Sequence, residues 1–287
     1  MRYESPATIE NAVDLLANSD GHAFVLAGGT DLLVRMKGDD FNASLVVDIK
    51  SVDGMGQIEE TADGFVIGAA VPCAALSEHA ALVAAWPGVV EAANLIGSTQ
   101  VQSRCTMSGN LCNASPAADS VPAMVAANAQ ARIIGPDGRR TIDVADVPTA
   151  PGQTSLAKGE IIEAILLPKP GARTGDAYLR FIPRTEMDIA VVGAAVNLTL
   201  DTDGTVQTAR VVLGAVAPSV VVVDAAADAL LGSKLSEDTL KSVEVACVAA
   251  SNPIDDKRGT VEFRNQVAGV LGRRAAAIAF ERAGGQS

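Results

Sequence analysis

Apolar positions along the first half of the chain come in short bursts, and their spacing changes from one burst to the next. In TIENAVDLLAN, residues 8–18, Ile9, Val13 and Leu16 recur at helical intervals behind Thr8, which predicts a short helix capped by the Thr8 hydroxyl. AFVLAGGTDLL then predicts a strand running into a tight turn at Gly28 and Gly29. Residues 45–49 (LVVDI) and 64–70 (GFVIGAA) read as strands, and residues 74–96 as mostly helix interrupted at Pro87-Gly88. DSVPAMVAANA reads as helix, QARIIGPDGRR as a strand entering a turn, and GEIIEAILLP as an apolar strand stopped by proline.

The texture changes after KPGARTG. Residues 190–200 and 206–216 are rich in valine and alanine and flank the turn DTDG, a hairpin signal. Helices are expected at 237–250 and 261–282, the second presenting Val267, Val270, Leu271, Ala275 and Ile278 on one face. A boundary near residue 170 follows, with no internal repeat and no low-complexity segment.

Composition narrows the class. The chain has 287 residues, 48% of them hydrophobic, enough for a substantial buried core. Its N-terminus lacks the apolar run of a signal peptide and no stretch matches a membrane span, which predicts a soluble, cytoplasmic protein. A formal charge of -12 argues against nucleic acid and anionic membranes as partners. Any anion site must therefore be built locally, from backbone dipoles or a few cations.

Cys73, Cys105, Cys112 and Cys247 show no C-x-x-C spacing, and His22 and His79 are the only histidines. A metal or iron–sulfur cluster held by this chain alone is not expected, and buried, reduced thiols are. No Ser-His-Asp set or catalytic carboxylate pair emerges either.

Two small-residue segments remain: AGGTD, residues 27–31, and TMSGN, residues 106–110, inside the polar tract CTMSGNLCNASPAADS. With little side-chain bulk, each can turn sharply and present consecutive N–H groups to an anion. Neither is a Rossmann G-x-G-x-x-G or a P-loop; each alone is weak evidence, and a Gly-Gly pair after a strand is more often an ordinary tight turn.

Taken together and in order, AGGTDLL, IGSTQVQSRCTMSGNLCNASPAADSVPA, GEIIEAILLP and AYLRFIPRTEMDIAVVGAA resemble the FAD-binding medium subunit of the molybdenum hydroxylases, the xanthine dehydrogenase and carbon monoxide dehydrogenase flavoprotein family. The resemblance covers nearly the whole chain. It implies an α+β fold: a PCMH-type FAD-binding domain over 1–170, with subdomains of about 1–55 and 56–170, then a smaller C-terminal domain over 171–287 with a three-stranded antiparallel sheet and helices.

The resemblance also implies site residues. Ala27, Gly28, Gly29, Thr30 and Asp31 would form one cradle for the FAD pyrophosphate, and Thr106, Ser108, Gly109 and Asn110 the other. Ser108 and Cys105 depart from the family, which more often has glycine there. Ile96 would pack near the flavin ring and Ile162 would offer its backbone to the adenine end. Asp119 would accept from a ribose hydroxyl, although its position equally fits an N-cap for the following helix. Arg180 would be a basic FAD contact or a surface group, Tyr178 a cover for the cofactor or a packing residue. Asp188, in RTEMDIA, would lie beside the isoalloxazine ring or start the next strand.

The implied activity is electron transfer. A two-cluster [2Fe-2S] small subunit and a molybdopterin-binding large subunit would be partners, in an assembly that could double as a dimer of heterotrimers. FAD on this chain would pass electrons to NAD+, oxygen or a quinone. A self-contained flavin oxidase and a non-catalytic assembly subunit with a degenerate site are the alternatives.

Overall fold

The computed structural model describes residues 1–39 and 41–285. Its first layer is a three-stranded parallel sheet in the order Arg2–Glu4, Leu45–Asp48, Ala23–Leu26. The central strand is buried throughout, as a parallel strand covered on both faces should be. Helix Ile9–Ala17 buries Ile9, Ala12, Val13 and Leu16, and the Thr8 hydroxyl accepts from the Asn11 N–H at 3.3 Å, so the expected cap is present.

The second layer is a five-stranded antiparallel sheet, ordered Ile58–Thr61, Gly64–Gly68, Ile161–Pro168, Gln130–Gly135, Gly138–Asp143. Its middle strand is the last to arrive in sequence. Ile161, Ile162, Ile165 and Leu167 are buried there, which explains the unbroken apolar run of that strand. Short helices fill the interval between strands two and four of the chain's second sheet. The predicted 74–96 helix is three pieces, Cys73–Glu78, Ala80–Ala85 and Pro87–Asn94. Pro87 starts the last piece rather than breaking it, since proline at a first helical position forfeits no hydrogen bond.

The third sheet has four antiparallel strands, Thr174–Phe181, Val192–Leu200, Val206–Gly214 and Val221–Val222, and not the three expected. The additional strand is two residues long, too short to leave a pattern. Helices Asp224–Leu230, Glu237–Ala250 and Val261–Arg282 cover one face around a core of Val196, Leu198, Val211 and Leu213. The long helix buries Arg264, Ala268, Gly269, Leu271, Gly272, Ala275, Ala276, Ala279 and Phe280, with Val267 and Ile278 packed partly buried against the same core; of the expected face Val270 alone stands 37% exposed.

The opposite face of this sheet packs on helix Ser120–Ala126. The approach is close: a Cβ at Gly214 would lie 2.7 Å from Pro122 Cγ. Tyr178, Ala195 and Val212 join the core of the first two layers through this seam. Among the described residues, no helix is long and apolar enough to cross a membrane.

Candidate functional site: a cleft rimmed by two backbone cradles

Strand Ala23–Leu26 ends at the edge of its sheet, and the turn that follows crosses to the start of helix Leu32–Arg35. Gly29 has φ +83°, a left-handed conformation that glycine adopts without strain. Gly28 is needed for a different reason. A Cβ there would lie 2.1 Å from the Arg104 carbonyl oxygen, so this turn touches the backbone leading into the second small-residue segment.

That second segment is a helix, Met107–Cys112, and not an open loop. Thr106 caps it, its hydroxyl accepting from the Gly109 N–H at 2.9 Å. The Asn110 side chain turns inward and accepts from both the N–H and the hydroxyl of Ser120, at 3.2 and 2.7 Å, which ties the segment to helix Ser120–Ala126. Ser108 is 5% exposed and lines the cleft without closing it.

Between the two segments lies a cavity of ≈ 1130 Å³ including its open mouth. Ala27 to Asp31, Thr106, Ser108, Gly109, Asn110, Ile96 and Ile162 all reach it, so the structure brings these expected residues together. The N–H groups of the cleft residues Gly28, Gly29, Thr30, Asp31 and Ser108 donate to no acceptor among the described residues. Unpaired N–H groups concentrated at one cleft are a place for an anion. Burial raises the pKa of the Asp31 carboxyl above its ordinary range, against the pull of Arg35.

A second cavity, ≈ 1690 Å³ with its mouth, adjoins the first at Gly28 to Asp31 and Ile96. Lys50, Arg104, Arg184 and Arg258 line it against Asp31 and Asp188 alone, a local excess of cations in an acidic chain. Leu33, Val34, Met187 and Ile189 stand at its rim, 50 to 66% exposed. Asp188 accepts from the Ile189 N–H, Arg184 and Arg258, and these contacts, the backbone one first, hold its pKa below the usual range. Nothing local in the sequence marks Arg104 or Arg258 as members of this group, because the fold alone assembles them.

Asp119, Tyr178 and Arg180 do not line either cavity. They meet behind the cleft, at the seam of the third sheet. Arg180 Nη1 donates to Asp119 Oδ2 at 2.8 Å and to the Leu95 carbonyl at 2.7 Å, and the Tyr178 hydroxyl donates to Asp119 Oδ1 at 3.3 Å. Asp119 occupies the N-cap position of helix Ser120–Ala126, but its carboxylate makes no capping hydrogen bond and is spent on Arg180 and Tyr178 instead. Burial pushes its pKa up to about 6, outweighing the opposing pull of Arg180 and Tyr178.

A second buried carboxylate, not anticipated, joins the same surfaces. Asp176 accepts from the Gly88 and Val89 N–H groups, both at 3.0 Å, and so caps helix Pro87–Asn94 from another sheet. Burial raises its pKa to about 6 as well.

All four cysteines are free. Cys73, Cys105 and Cys247 are buried as expected, whereas Cys112 is exposed on the cleft wall. No group of metal-ligating side chains occurs among the described residues.

Comparison with known proteins gives this geometry a context. A family profile described as "FAD binding domain in molybdopterin dehydrogenase" matches residues 1–170, and one described as "CO dehydrogenase flavoprotein C-terminal domain" matches residues 177–279. The chain is 32% identical to the carbon monoxide dehydrogenase medium chain of Afipia carboxidovorans, over 98% of this chain and 97% of that one. It is 29% identical to a xanthine dehydrogenase FAD-binding subunit of Escherichia coli O157:H7, over 99% and 97%. A solved structure of reconstituted CO dehydrogenase from Oligotropha carboxidovorans superposes with a TM-score of 0.93 at 31% identity, covering 98% of both chains. The two backbone cradles thus stand in a chain that belongs to the family of FAD-binding subunits of the molybdenum hydroxylases.

Proposed function

We propose that FAD lies extended along the two joined cavities and that the chain passes electrons through it, from an iron–sulfur partner subunit to an acceptor. The observation that carries this reading is the pair of segments on one cleft with unpaired N–H groups at 28–31 and 108. A chain of charge -12 repels a pyrophosphate at long range, so the anion is held by fixed dipoles at contact. Asp31 would contribute its N–H and not its carboxylate.

The remaining residues take positions consistent with this pose. Ala27, Gly28, Gly29, Thr30 and Asp31 would hold one phosphate, and the segment from Thr106 to Asn110 the other. In that segment Thr106 shapes the helix start, Gly109 admits the cap, and Asn110 anchors the helix to Ser120. Ile96, at the junction of the cavities, would support the flavin ring, and Ile162 would offer its backbone to the adenine end. Asp119, Tyr178 and Arg180 act from behind, through the Leu95 carbonyl that Arg180 holds. Asp188 fixes Arg184 and Arg258 at the second cavity, where an acceptor would approach.

When bound, FAD supplies the redox chemistry and exchanges electrons one or two at a time. The chain supplies orientation and exclusion of water. With no metal-ligating cluster among the described residues, the [2Fe-2S] clusters and molybdopterin would belong to partner subunits. The family profiles meet near residue 170, where we place the boundary between a cofactor-carrying domain of 1–170 and a C-terminal domain of 171–287.

The test is direct. The purified chain should carry flavin absorbance or take up FAD stoichiometrically after stripping, and should co-purify with an iron–sulfur and a large subunit from its native source. A folded chain that fails to bind FAD at micromolar concentrations would overturn the reading.

A further inference from the structure

Cys73 and Cys105 lie 32 positions apart in sequence and meet beneath the cradle. The Cys73 N–H donates to the Cys105 carbonyl at 2.8 Å, a backbone contact that brings their α-carbons into the range a disulfide spans, roughly 4.4–6.8 Å. Both are buried, at 0% and 2% exposure. Cys105 also lines the cleft and immediately precedes the capping residue Thr106. On its other side its Cα sits against Gly28, where an added Cβ would come within 3.0 Å. One residue therefore touches a second cysteine, the first cradle and the second cradle.

We propose that Cys73 and Cys105 form a reversible disulfide when the cofactor is absent, and that the bridge lowers the affinity of the cleft for FAD. The oxidant is a peroxide. The Cys105 thiol ionises and its thiolate attacks one peroxide oxygen, breaking the O–O bond; the departing hydroxide takes up the proton the thiol released, leaving a sulfenic acid and water. The Cys73 thiol then attacks that sulfur, the S–S bond forms, and a second water leaves. Two thiols and one hydrogen peroxide thus yield one disulfide and two waters. Hydrogen bonding from Cys73 favours the Cys105 thiolate, which makes Cys105 the attacking sulfur.

The effect on the cofactor follows from position. A covalent bond in place of a nonbonded contact draws Cys105 toward Cys73, and Cys105 carries the backbone that abuts Gly28 and leads into Met107 and Ser108. Both cradles lose their register together. With FAD in place the cleft wall is covered, so the bound form is protected from oxidation.

The effect on affinity rests on the FAD reading, while formation of the bridge does not. The stripped full-length chain and the FAD-loaded chain are each treated with hydrogen peroxide, and peptides are mapped by mass spectrometry without reduction. The expected result is a Cys73–Cys105 cross-linked peptide two hydrogens lighter than its reduced parts, formed at least several-fold faster in the stripped chain. Cys112→Ser should leave the bridge intact, and Cys73→Ser and Cys105→Ser should abolish it. The oxidised chain should bind FAD at least ten-fold more weakly than the reduced chain, with dithiothreitol restoring affinity and Cys73→Ser insensitive to peroxide. Oxidation confined to Cys112, or equal FAD affinity of bridged and reduced chains, would overturn the proposal. A reduced chain that binds no FAD while the bridge still forms would instead overturn the cofactor reading.

Discussion

Arg180 and Asp119 form an ion pair of 2.8 Å at the seam between the third sheet and helix Ser120–Ala126, with side chains only 4% and 10% exposed. The same guanidinium holds the Leu95 carbonyl, one residue before Ile96 on the cleft wall. A buried pair of this kind is weak evidence for net stabilisation, because desolvation offsets much of the attraction, yet removing one partner strands the other.

Arg180→Met should therefore destabilise the chain by about 3–5 kcal/mol, and Asp119→Asn by less, since an amide is cheaper to bury than an unpaired carboxylate. The double substitution should cost clearly less than the sum. Urea unfolding of the four species in a double-mutant cycle gives the coupling, and strict additivity would show that the pair does not act as a unit.

The pH dependence of stability should run opposite to that of a simple surface salt bridge. Asp119 and Asp176 are both raised to about 6 in the folded chain by burial, against an ordinary value near 3.9 in the unfolded one. A raised folded pKa means the folded state binds the proton more tightly. Stability then increases as pH falls from about 7 toward 4, by at most about 3 kcal/mol per group. Arg180 and Tyr178 face the first carboxylate, and Arg282 and Glu91 the second. Carboxylates with lowered values, Asp48, Glu160 and Glu163 among them, reverse the trend only at more acid pH. The check is unfolding free energy at pH 7.5 and 5.5: the wild type should gain on acidification, and Asp176→Asn should gain less.

What the sequence made legible follows from how local each signal is. Helices Glu237–Ala250 and Val261–Arg282 begin behind Ser236 and Thr260, whose hydroxyls accept from N–H groups three residues on, and such caps are written within four residues. The inner face of the second helix was legible in part: Leu271 and Ala275 are buried and Val267 and Ile278 pack on the core, as the apolar spacing indicated. The small residues that complete it left no such mark, a Cβ at Gly269 reaching 2.8 Å from Val248. The cradles were visible because glycine and small residues are themselves the signal. The partners of Asp119 were not, since Arg180 lies 61 residues away and only the docking of the sheet brings it there. Asp176 and Arg104 were invisible for the same reason.

Substitutions in the two cradles should separate folding from cofactor binding. Gly28→Ala puts a methyl group against the Arg104 carbonyl, so the FAD-free chain itself should lose about 1–3 kcal/mol, with FAD affinity falling as a consequence. Thr106→Val removes the cap on Gly109 and should cost about 1 kcal/mol. Ser108→Gly, within the helix, should cost about 0.5–1 kcal/mol and leave FAD bound. Thermal unfolding of stripped protein alongside FAD dissociation distinguishes these cases. A Ser108→Gly chain that releases FAD would assign the hydroxyl a direct part in holding it.

The cation-rich second cavity makes a prediction about the acceptor. Arg104 is exposed and forms no ion pair among the described residues, whereas Arg184 and Arg258 are held by Asp188 and Lys50 by Asp48. Its field at the cavity mouth is therefore the least compensated of the four. Replacing it with glutamine should slow oxidation of the reduced, FAD-loaded complex by ferricyanide, an anionic acceptor, several-fold at low ionic strength, and the difference should shrink as salt rises and screening shortens the reach of the charge. Oxidation by a neutral quinone should be nearly unchanged, because the exposed Leu33, Val34, Met187 and Ile189 that rim the cavity are left intact. Stopped-flow rates for both acceptors, measured across salt concentrations on the wild type and Arg104→Gln, decide the matter. Equal loss with both acceptors would mean that Arg104 supports the cofactor or the fold and does not steer the acceptor.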